Sequence, residues 1–264
     1  MIEVVDVSHH YGVRPVLQHV SLSVGRGEIV ALMGPNGMGK TTLLAVVAGA
    51  LWPLNGYVQI DGKLRRGSPE EELAIRRQVV YLPAEPWLPA EPWLPRTHTA
   101  REWLLAVGRL YSIHDDRLME HIPRLLELFD LTAQMDQAVS SCSTGQRKKL
   151  ALAGALVTEA PVMLLDEPFA GGMDPSGILA LKRLFQHHRE LRDRTILMAT
   201  PVPELVEDVA DRVAILRDGM VLACDTIDGL RRLAGCDGAL DEVYERLVSP
   251  RTAARIERYF EGKP

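Results

Sequence analysis

The sequence has few cysteines, no long apolar run and no excess of basic residues, and each absence excludes a class of protein. The three cysteines (Cys142, Cys224 and Cys236) are scattered without a C-x-x-C spacing, so neither a disulfide framework nor a zinc site is expected. No apolar run approaches the roughly 18–20 residues that a membrane-spanning helix needs. If the protein works at a membrane, we therefore expect another chain to cross it.

The net charge and the N-terminal residues argue against two further classes, nucleic-acid-binding proteins and proteins with a signal peptide. A net charge of −5 gives no reason to expect a nucleic-acid partner, which usually requires a basic surface. Residues 1–12 lack the basic start and the apolar stretch of a signal peptide. Hydrophobic residues make up 47% of the chain and charged residues 25%, which is the ordinary range for a globular protein.

Strand and helix signals alternate toward both ends of the chain and predict an α/β core. Residues 2–8, 16–24 and 28–34 alternate in the manner of antiparallel strands. Strand signals return in the second half of the chain, at residues 162–168, 195–200, 212–216 and 219–225. We therefore expect an N-terminal antiparallel β subdomain joined to a sheet that is flanked by helices.

The middle of the chain differs from both ends in its proline content and in the spacing of its apolar residues. Residues 82–95 read LPAEPWLPAEPWLP, a six-residue unit repeated in tandem in which five of fourteen residues are proline. Such a segment is neither helix nor central strand, so we predict an extended, semi-rigid connector. Apolar residues at three- and four-residue spacing then predict an inserted helical subdomain over about 96–158. We place the main domain at 1–225 and a helical, amphipathic tail at 226–264.

A glycine-rich motif carries the clearest chemistry. The segment GPNGMGKTT (34–42) matches G-x-x-x-x-G-K-[ST] and lies between a predicted strand and a predicted helix. In this context backbone N–H groups wrap phosphate oxygens, and the helix N-terminus adds a positive partial charge. We expect Lys40 to reach the β- and γ-phosphates of a nucleotide and the Thr41 hydroxyl to bind Mg²⁺. The expected nucleotide-binding residues of this motif are Gly34, Pro35, Asn36, Gly37, Gly39, Lys40, Thr41 and Thr42.

Two acidic residues follow the apolar run of VMLLDEP (162–168). Asp166, at the end of the predicted strand, is a candidate for the Mg²⁺ shell. Glu167 is a candidate to polarise an attacking water, with Lys40 as the second catalytic residue. Taken alone, this pattern is more typical of a solvated strand end. The glycine-rich motif upstream, which has the sequence of a P-loop, favours the catalytic interpretation.

A third motif opens a predicted helix. The residues CSTGQ (142–146) lie about 20 residues before LLDEP, and Ser143 is the expected N-cap. With the P-loop and the helical insertion, this order of motifs resembles the ATP-binding subunit of an ABC transporter over residues 1–225. Residues 239–248 also resemble the ending of single-domain subunits of ABC-2-type exporters. Soluble ABC proteins of translation or DNA repair fit less well, because this chain has one such domain and no heptad run.

The resemblance implies a fold, ligands and partners. It implies an α/β P-loop NTPase core with a mixed sheet, which binds ATP and Mg²⁺ and hydrolyses ATP. Two such domains would dimerise head to tail, so that Ser143, Gly145 and Gln146 of one close over the nucleotide of the other. Tyr11 stands where the family stacks an aromatic ring on adenine. The implied partners are a second ATP-binding subunit, as a homo- or heterodimer, and a transmembrane permease subunit. The implied location is cytoplasmic, on the inner face of the cell membrane.

Two loops depart from the family pattern. The family's Q-loop glutamine is replaced by Ala84, so Glu85 or, in the second repeat, Glu91 is the candidate replacement metal ligand. The segment PFAGGMDP (168–175) carries one residue more than the usual spacing before the matching aspartate, Asp174.

A third departure concerns hydrolysis directly. Pro201 stands where the family has its switch histidine, and no histidine lies between residues 195 and 211. Loss of one preorganised transition-state group typically costs about 10²–10³ in rate, so we expect slow hydrolysis. The alternative is a catalytically degenerate subunit that pairs with a competent partner. His98, near the end of the connector, is a less favoured substitute for the missing histidine.

Overall fold

The structure is a computed structural model that describes residues 1–84, 94–95, 97–248 and 258–260. Glu85, Glu91 and most of the predicted connector lie outside the described residues. The β-strands are β1 (Ile2–Tyr11), β2 (Arg14–Val24), β3 (Ile29–Met33), β4 (Asn55–Ile60), β5 (Lys63–Leu64), β6 (Val79–Leu82), β7 (Val162–Asp166), β8 (Thr195–Ala199), β9 (Arg212–Arg217) and β10 (Met220–Asp225). The α-helices are α1 (Lys40–Ala48), α2 (Pro69–Arg76), α3 (Ala100–Leu110), α4 (Asp115–Leu128), α5 (Thr144–Val157), α6 (Pro175–Leu191), α7 (Pro203–Glu207), α8 (Ile227–Ala234) and α9 (Leu240–Val248).

The strands form two sheets. One has the order β2-β1-β4-β5 and is antiparallel throughout. The other has the order β10-β9-β3-β8-β7-β6, in which β10 is antiparallel to β9 and the remaining pairs are parallel. The expected combination of a mixed sheet, flanking helices and an N-terminal antiparallel part is confirmed.

The prediction that residues 28–34 form an antiparallel strand is wrong. β3 pairs in parallel with both of its neighbours, and Ala31 lies opposite Met198 of β8 and Val213 of β9. All five residues of β3 are apolar and buried. A strand inside a parallel sheet is covered on both faces, which removes the alternation of apolar and polar residues.

Two hydrophobic cores lie on opposite faces of the six-stranded sheet. One includes residues of α3 to α6 and of α8 and α9, and the other includes residues of α1 and of the antiparallel sheet. Ile29, Ala31 and Met33 belong to the first core, whereas Val30 and Leu32 belong to the second. β3 joins both cores because successive side chains of a strand point to opposite faces.

Helices α3, α4 and α5 pack on one another in the part of the chain between β6 and β7. α3 begins with a capping box: the Thr99 hydroxyl accepts a hydrogen bond from the Glu102 N–H, and the Glu102 carboxylate accepts one from the Thr99 N–H. Gly154 of α5 lies against the indole of Trp103 in α3. None of the described helices is long and apolar enough to cross a bilayer.

Apart from residues 258–260, the described part of the predicted tail is built around α8 and α9, both of which contact α7. Leu240 and Val243 of α9 are buried in the first core. Glu207, at the end of α7, accepts hydrogen bonds from the Arg231 guanidinium at 2.6 Å and from the Leu240 N–H at 3.3 Å. The tail therefore contacts the short helix that follows Pro201.

The close contact between α3 and α5 makes Gly154 a test of the packing. A Cβ atom at Gly154 would lie 2.0 Å from Cη2 of Trp103. Alanine favours a helix over glycine by about 1 kcal/mol, but overpacking against a rigid buried ring costs about 1–3 kcal/mol. We therefore expect Gly154→Ala to lower the free energy of unfolding, measured by chemical denaturation.

The control is the double variant Gly154→Ala/Trp103→Phe. Because phenylalanine lacks the outer indole atoms that clash, the double variant should lose less stability than the sum of the two single variants. Additive losses, or a stabilised Gly154→Ala variant, would contradict this account of the helix packing.

Candidate nucleotide-binding site

The glycine-rich loop connects the end of β3 to the start of α1. Gly39, which caps α1, has φ +99°, a conformation that residues with a side chain rarely adopt. A Cβ atom there would also lie 2.8 Å from Cδ2 of Leu17 and 2.8 Å from the carbonyl oxygen of Val16. Glycine is therefore required at this position both for its backbone conformation and for the close approach of β2.

Lys40 begins α1 and is held by the loop that precedes it. Its side-chain ammonium donates hydrogen bonds to the carbonyl oxygens of Gly34 at 2.7 Å and Pro35 at 3.0 Å. Burial lowers the pKa of Lys40, whereas the charges of Glu167 and Asp166 raise it. The two predicted residues Gly34 and Pro35 thus orient the lysine through their backbones, and they do not line the cavity described below.

Asp166 ends β7 and is completely buried. Within the described part of the chain, neither of its carboxylate oxygens has a hydrogen-bond partner of acceptable geometry. Burial raises the pKa of Asp166 and so does Glu167, whereas the nearby Thr41 hydroxyl, Lys148 and Lys40 lower it. A buried carboxylate without a partner is costly, because it has lost its hydration without replacement.

The surroundings of Asp166 fit a divalent cation. Carboxylate and hydroxyl oxygens are the ligands that Mg²⁺ prefers, and Asp166 and Thr41 bring one of each together beside the loop. The two unpaired carboxylate oxygens are the observation that a bound cation would explain.

Glu167 follows directly and turns away from the strand. Its backbone has φ +46°, and its N–H donates a hydrogen bond to the carbonyl oxygen of Ala199 at 2.8 Å. A residue with a side chain adopts this left-handed conformation only where the surrounding structure enforces it. Asp166 is therefore buried, whereas the adjacent Glu167 is half-buried and lines the cavity.

A cavity of about 460 Å³ collects most of the predicted site residues. Its lining comprises Tyr11, Arg14, Val16, Asn36, Gly37, Gly39, Lys40, Thr41, Thr42 and Glu167. Arg14 and Val16 were not predicted from the sequence. The signal that could have identified them is the short hairpin after Tyr11, which brings the start of β2 back to the same place.

The predicted signature residues lie elsewhere. Ser143 caps α5 in a capping box: its hydroxyl accepts a hydrogen bond from the Gln146 N–H at 3.3 Å, and the Gln146 side chain accepts one from the Ser143 N–H at 2.8 Å. A Cβ atom at Gly145 would lie 2.4 Å from the carbonyl oxygen of Gly172, so glycine permits this approach. Ser143 is exposed, and residues 142–146 are not part of the described lining of the cavity.

Consecutive lysines of α5 contact two of the loops that depart from the family pattern. Lys148 is fully buried and donates a hydrogen bond to the carbonyl oxygen of Ala84 at 3.1 Å. Lys149 donates one to Asp174 at 2.7 Å, and this contact lowers the pKa of Asp174. Asp174 in turn caps α6 by accepting a hydrogen bond from the Gly177 N–H at 2.8 Å.

Pro201 is exposed and follows the end of β8. The preceding Thr200 is fixed against β3, because its N–H donates a hydrogen bond to the carbonyl oxygen of Leu32 at 3.1 Å. His98 is also exposed, and neither Pro201 nor His98 belongs to the described lining of the cavity.

Comparison with known proteins identifies the family of the chain. Residues 17–170 match the ABC transporter family. The chain is 30% identical to the ABC-type transporter ATP-binding protein EcsA of Bacillus subtilis, over 94% of this chain and 96% of that protein. It is 32% identical to the daunorubicin resistance ATP-binding protein DrrA2 of Streptomyces coeruleorubidus, over 96% of this chain and 76% of that protein.

A solved structure described as an ATP-binding subunit of an ABC transporter superposes with a TM-score of 0.84 at 32% identity, over 94% of this chain and 99% of that one. The chain therefore belongs to the ABC transporter family and is one of its ATP-binding subunits.

Proposed function

We propose that the cavity binds Mg²⁺-ATP and that the chain hydrolyses it slowly to drive a separate transmembrane subunit. The observation that carries the proposal is the meeting of three charged groups at one loop. The Lys40 ammonium, the unpaired Asp166 carboxylate and Glu167 lie together beside it. A second feature supports a nucleotide with an aromatic base, because Tyr11 lines the same cavity as the glycine-rich loop.

Different residues would bind the phosphates, the cation and the base. Lys40 and the backbone N–H groups of the glycine-rich loop would bind the β- and γ-phosphates. Thr41 and Asp166 would hold Mg²⁺, and Glu85 stays a proposed further ligand that lies outside the described residues. When bound, Mg²⁺ neutralises charge on the phosphate oxygens. Tyr11 would stack on the base, and Asn36 and Thr42 would contact the phosphates.

Glu167 is the proposed general base. Its carboxylate would accept a hydrogen bond from the attacking water and hold that water in line with the γ-phosphorus. Phosphoryl transfer depends mainly on such positioning and on charge stabilisation, because the bond-making demands on the protein are small. The backbone conformation of Glu167, with φ +46°, places the residue in the lining of the cavity.

The position of the signature residues supports a dimer. Ser143, Gly145 and Gln146 lie outside the cavity of their own chain, with Ser143 exposed at the start of α5. We propose that they close over the nucleotide of a second subunit. The assembly would sit on the inner face of the membrane against its transmembrane subunit.

A second candidate function is that of a degenerate subunit, which binds ATP and leaves hydrolysis to a different partner. Pro201 favours it, because its ring has no donor for the γ-phosphate and the residue is exposed. Turnover by the purified chain at several protein concentrations separates the two functions. A rate per subunit that rises with concentration indicates a self-pairing ATPase, and tight binding without turnover indicates the degenerate subunit.

Lys40→Ala should abolish detectable ATP binding at micromolar nucleotide, because it removes the buried ammonium that the loop carbonyls orient toward the phosphates. Isothermal titration calorimetry measures the change. Lys63→Ala is the matched control, since Lys63 lies on β5 outside the cavity lining. Unchanged ATP affinity in Lys40→Ala would refute the assignment of the loop.

Glu167→Gln should reduce turnover by about 10²–10⁴-fold, the usual contribution of a general base, while leaving ATP binding intact. The variant should then accumulate as an ATP-bound dimer, visible by size-exclusion chromatography with light scattering. Glu204→Gln, on the exposed surface of α7, is the control. A Glu167→Gln chain that stays monomeric in saturating ATP would show that this subunit does not pair with itself.

Pro201→His should raise turnover at least about tenfold, because one preorganised transition-state contact contributes about 10²–10³. Pro201→Ala is the control, since it removes the ring and adds no donor. Steady-state phosphate release by both variants gives the comparison. If alanine and histidine act alike, the missing imidazole does not limit the rate, and the altered loops at Ala84 and Asp174 become the next targets.

A further inference from the structure

We infer that Arg14 is a nucleotide-binding residue whose guanidinium contacts the phosphate chain between Tyr11 and the glycine-rich loop. The inference rests on the proposed function and adds a cationic contact that comes from the antiparallel sheet. Arg14 would make the cavity selective for a nucleoside phosphate over the bare nucleoside.

The pairing of β1 with β2 places Arg14 beside Tyr11. The two strands meet in a tight hairpin, and Tyr11 lies directly opposite Arg14 in the antiparallel register. Side chains of directly opposed residues project from the same face of a sheet. Both residues line the cavity, so this shared face is the one turned toward it.

Val16 marks the contact between β2 and the glycine-rich loop. Val16 follows Arg14 by two positions along β2, at the register shift between the Pro15–His10 and Leu17–His9 pairs, and it lines the same cavity as Arg14. The carbonyl oxygen of Val16 would lie 2.8 Å from a Cβ atom at Gly39, at the start of α1. Arg14 therefore lines the cavity two residues before the position on β2 that approaches the glycine-rich loop, and directly opposite Tyr11.

The charge of Arg14 is available for a ligand. Among the described residues, its guanidinium makes no hydrogen bond and no ion pair, and it is exposed at the cavity. Other arginines of the antiparallel sheet and its neighbours are paired, as Arg26 is with Asp61 and Arg65 with Glu72. A planar guanidinium binds phosphate oxygens well because it can donate two parallel hydrogen bonds.

The ligand class follows from the surroundings. A single unpaired cation at a surface is ordinary, but this one faces an aromatic ring on one side and a phosphate-binding loop on the other. A molecule that contacts all three carries an aromatic base at one end and phosphates at the other. Arg14 then contacts the phosphate nearest the ribose, which Lys40 does not reach from the far end of the loop.

The test compares Arg14→Gln with the unchanged chain by calorimetry, using ADP, ATP and adenosine as probes. We expect the dissociation constants for ADP and ATP to rise about fivefold, the effect of one partly exposed charge pair, and that for adenosine to stay the same. The dissociation constant for ADP should also depend less on salt in the variant, because one screened contact is lost. Arg14→Lys should restore the salt dependence.

Arg232→Gln is the matched control, because Arg232 is exposed on α8 outside the cavity and loses the same charge. Equal losses for adenosine and ADP in Arg14→Gln would overturn the inference, since they would indicate a disturbed hairpin. Unchanged affinity for ADP would overturn it as well. Failure of the unchanged chain to bind ATP would instead overturn the proposed function on which the inference rests.

Discussion

The position of the site depends on one constraint, the burial of β3 on both faces inside a parallel sheet. The chain leaves β3 at the carboxyl edge of the sheet, where the glycine-rich loop and α1 begin. β7 and β8 run parallel to β3 and end at the same edge, so Asp166 and Thr200 are brought beside that loop. Ligands of open α/β sheets bind at this edge, and here the strand order brings Asp166 near the loop that holds Lys40.

The charges assembled there are only partly compensated within the protein. Lys40 is satisfied by two backbone carbonyls, which orient its ammonium without neutralising its charge. Asp166 has no hydrogen-bond partner among the described residues, and its burial favours the neutral form. A ligand that supplies a cation to the carboxylate and anionic oxygens to the ammonium satisfies both groups at once. This is why we propose a magnesium-bound polyphosphate as the ligand, in preference to either ion alone.

Residue spacing along the chain predicted the parts of the candidate site that follow a strand end, and it did not predict the features that depend on strand pairing. The glycine-rich loop, Asp166 and Glu167 were found because each lies at a fixed distance from a strand end. Arg14 was not predicted because it lines the cavity through its pairing with Tyr11 across a hairpin, and spacing along the chain does not show which residues pair. β3 was assigned antiparallel pairing because a five-residue apolar run carries no information on its neighbours.

The departures from the family pattern lie on one side of the site. Ala84 follows β6, Pro201 follows β8, and the lengthened loop before Asp174 follows β7 between them, whereas the unaltered glycine-rich loop follows β3. Two of the three altered segments are held by α5, through the contacts of Lys148 and Lys149, and Ser143 begins that same helix. The altered part of the site is thus attached to the helix that would meet a second subunit. Under the proposed function, these departures would act on closure and hydrolysis, while initial ATP binding would depend on the unaltered loop.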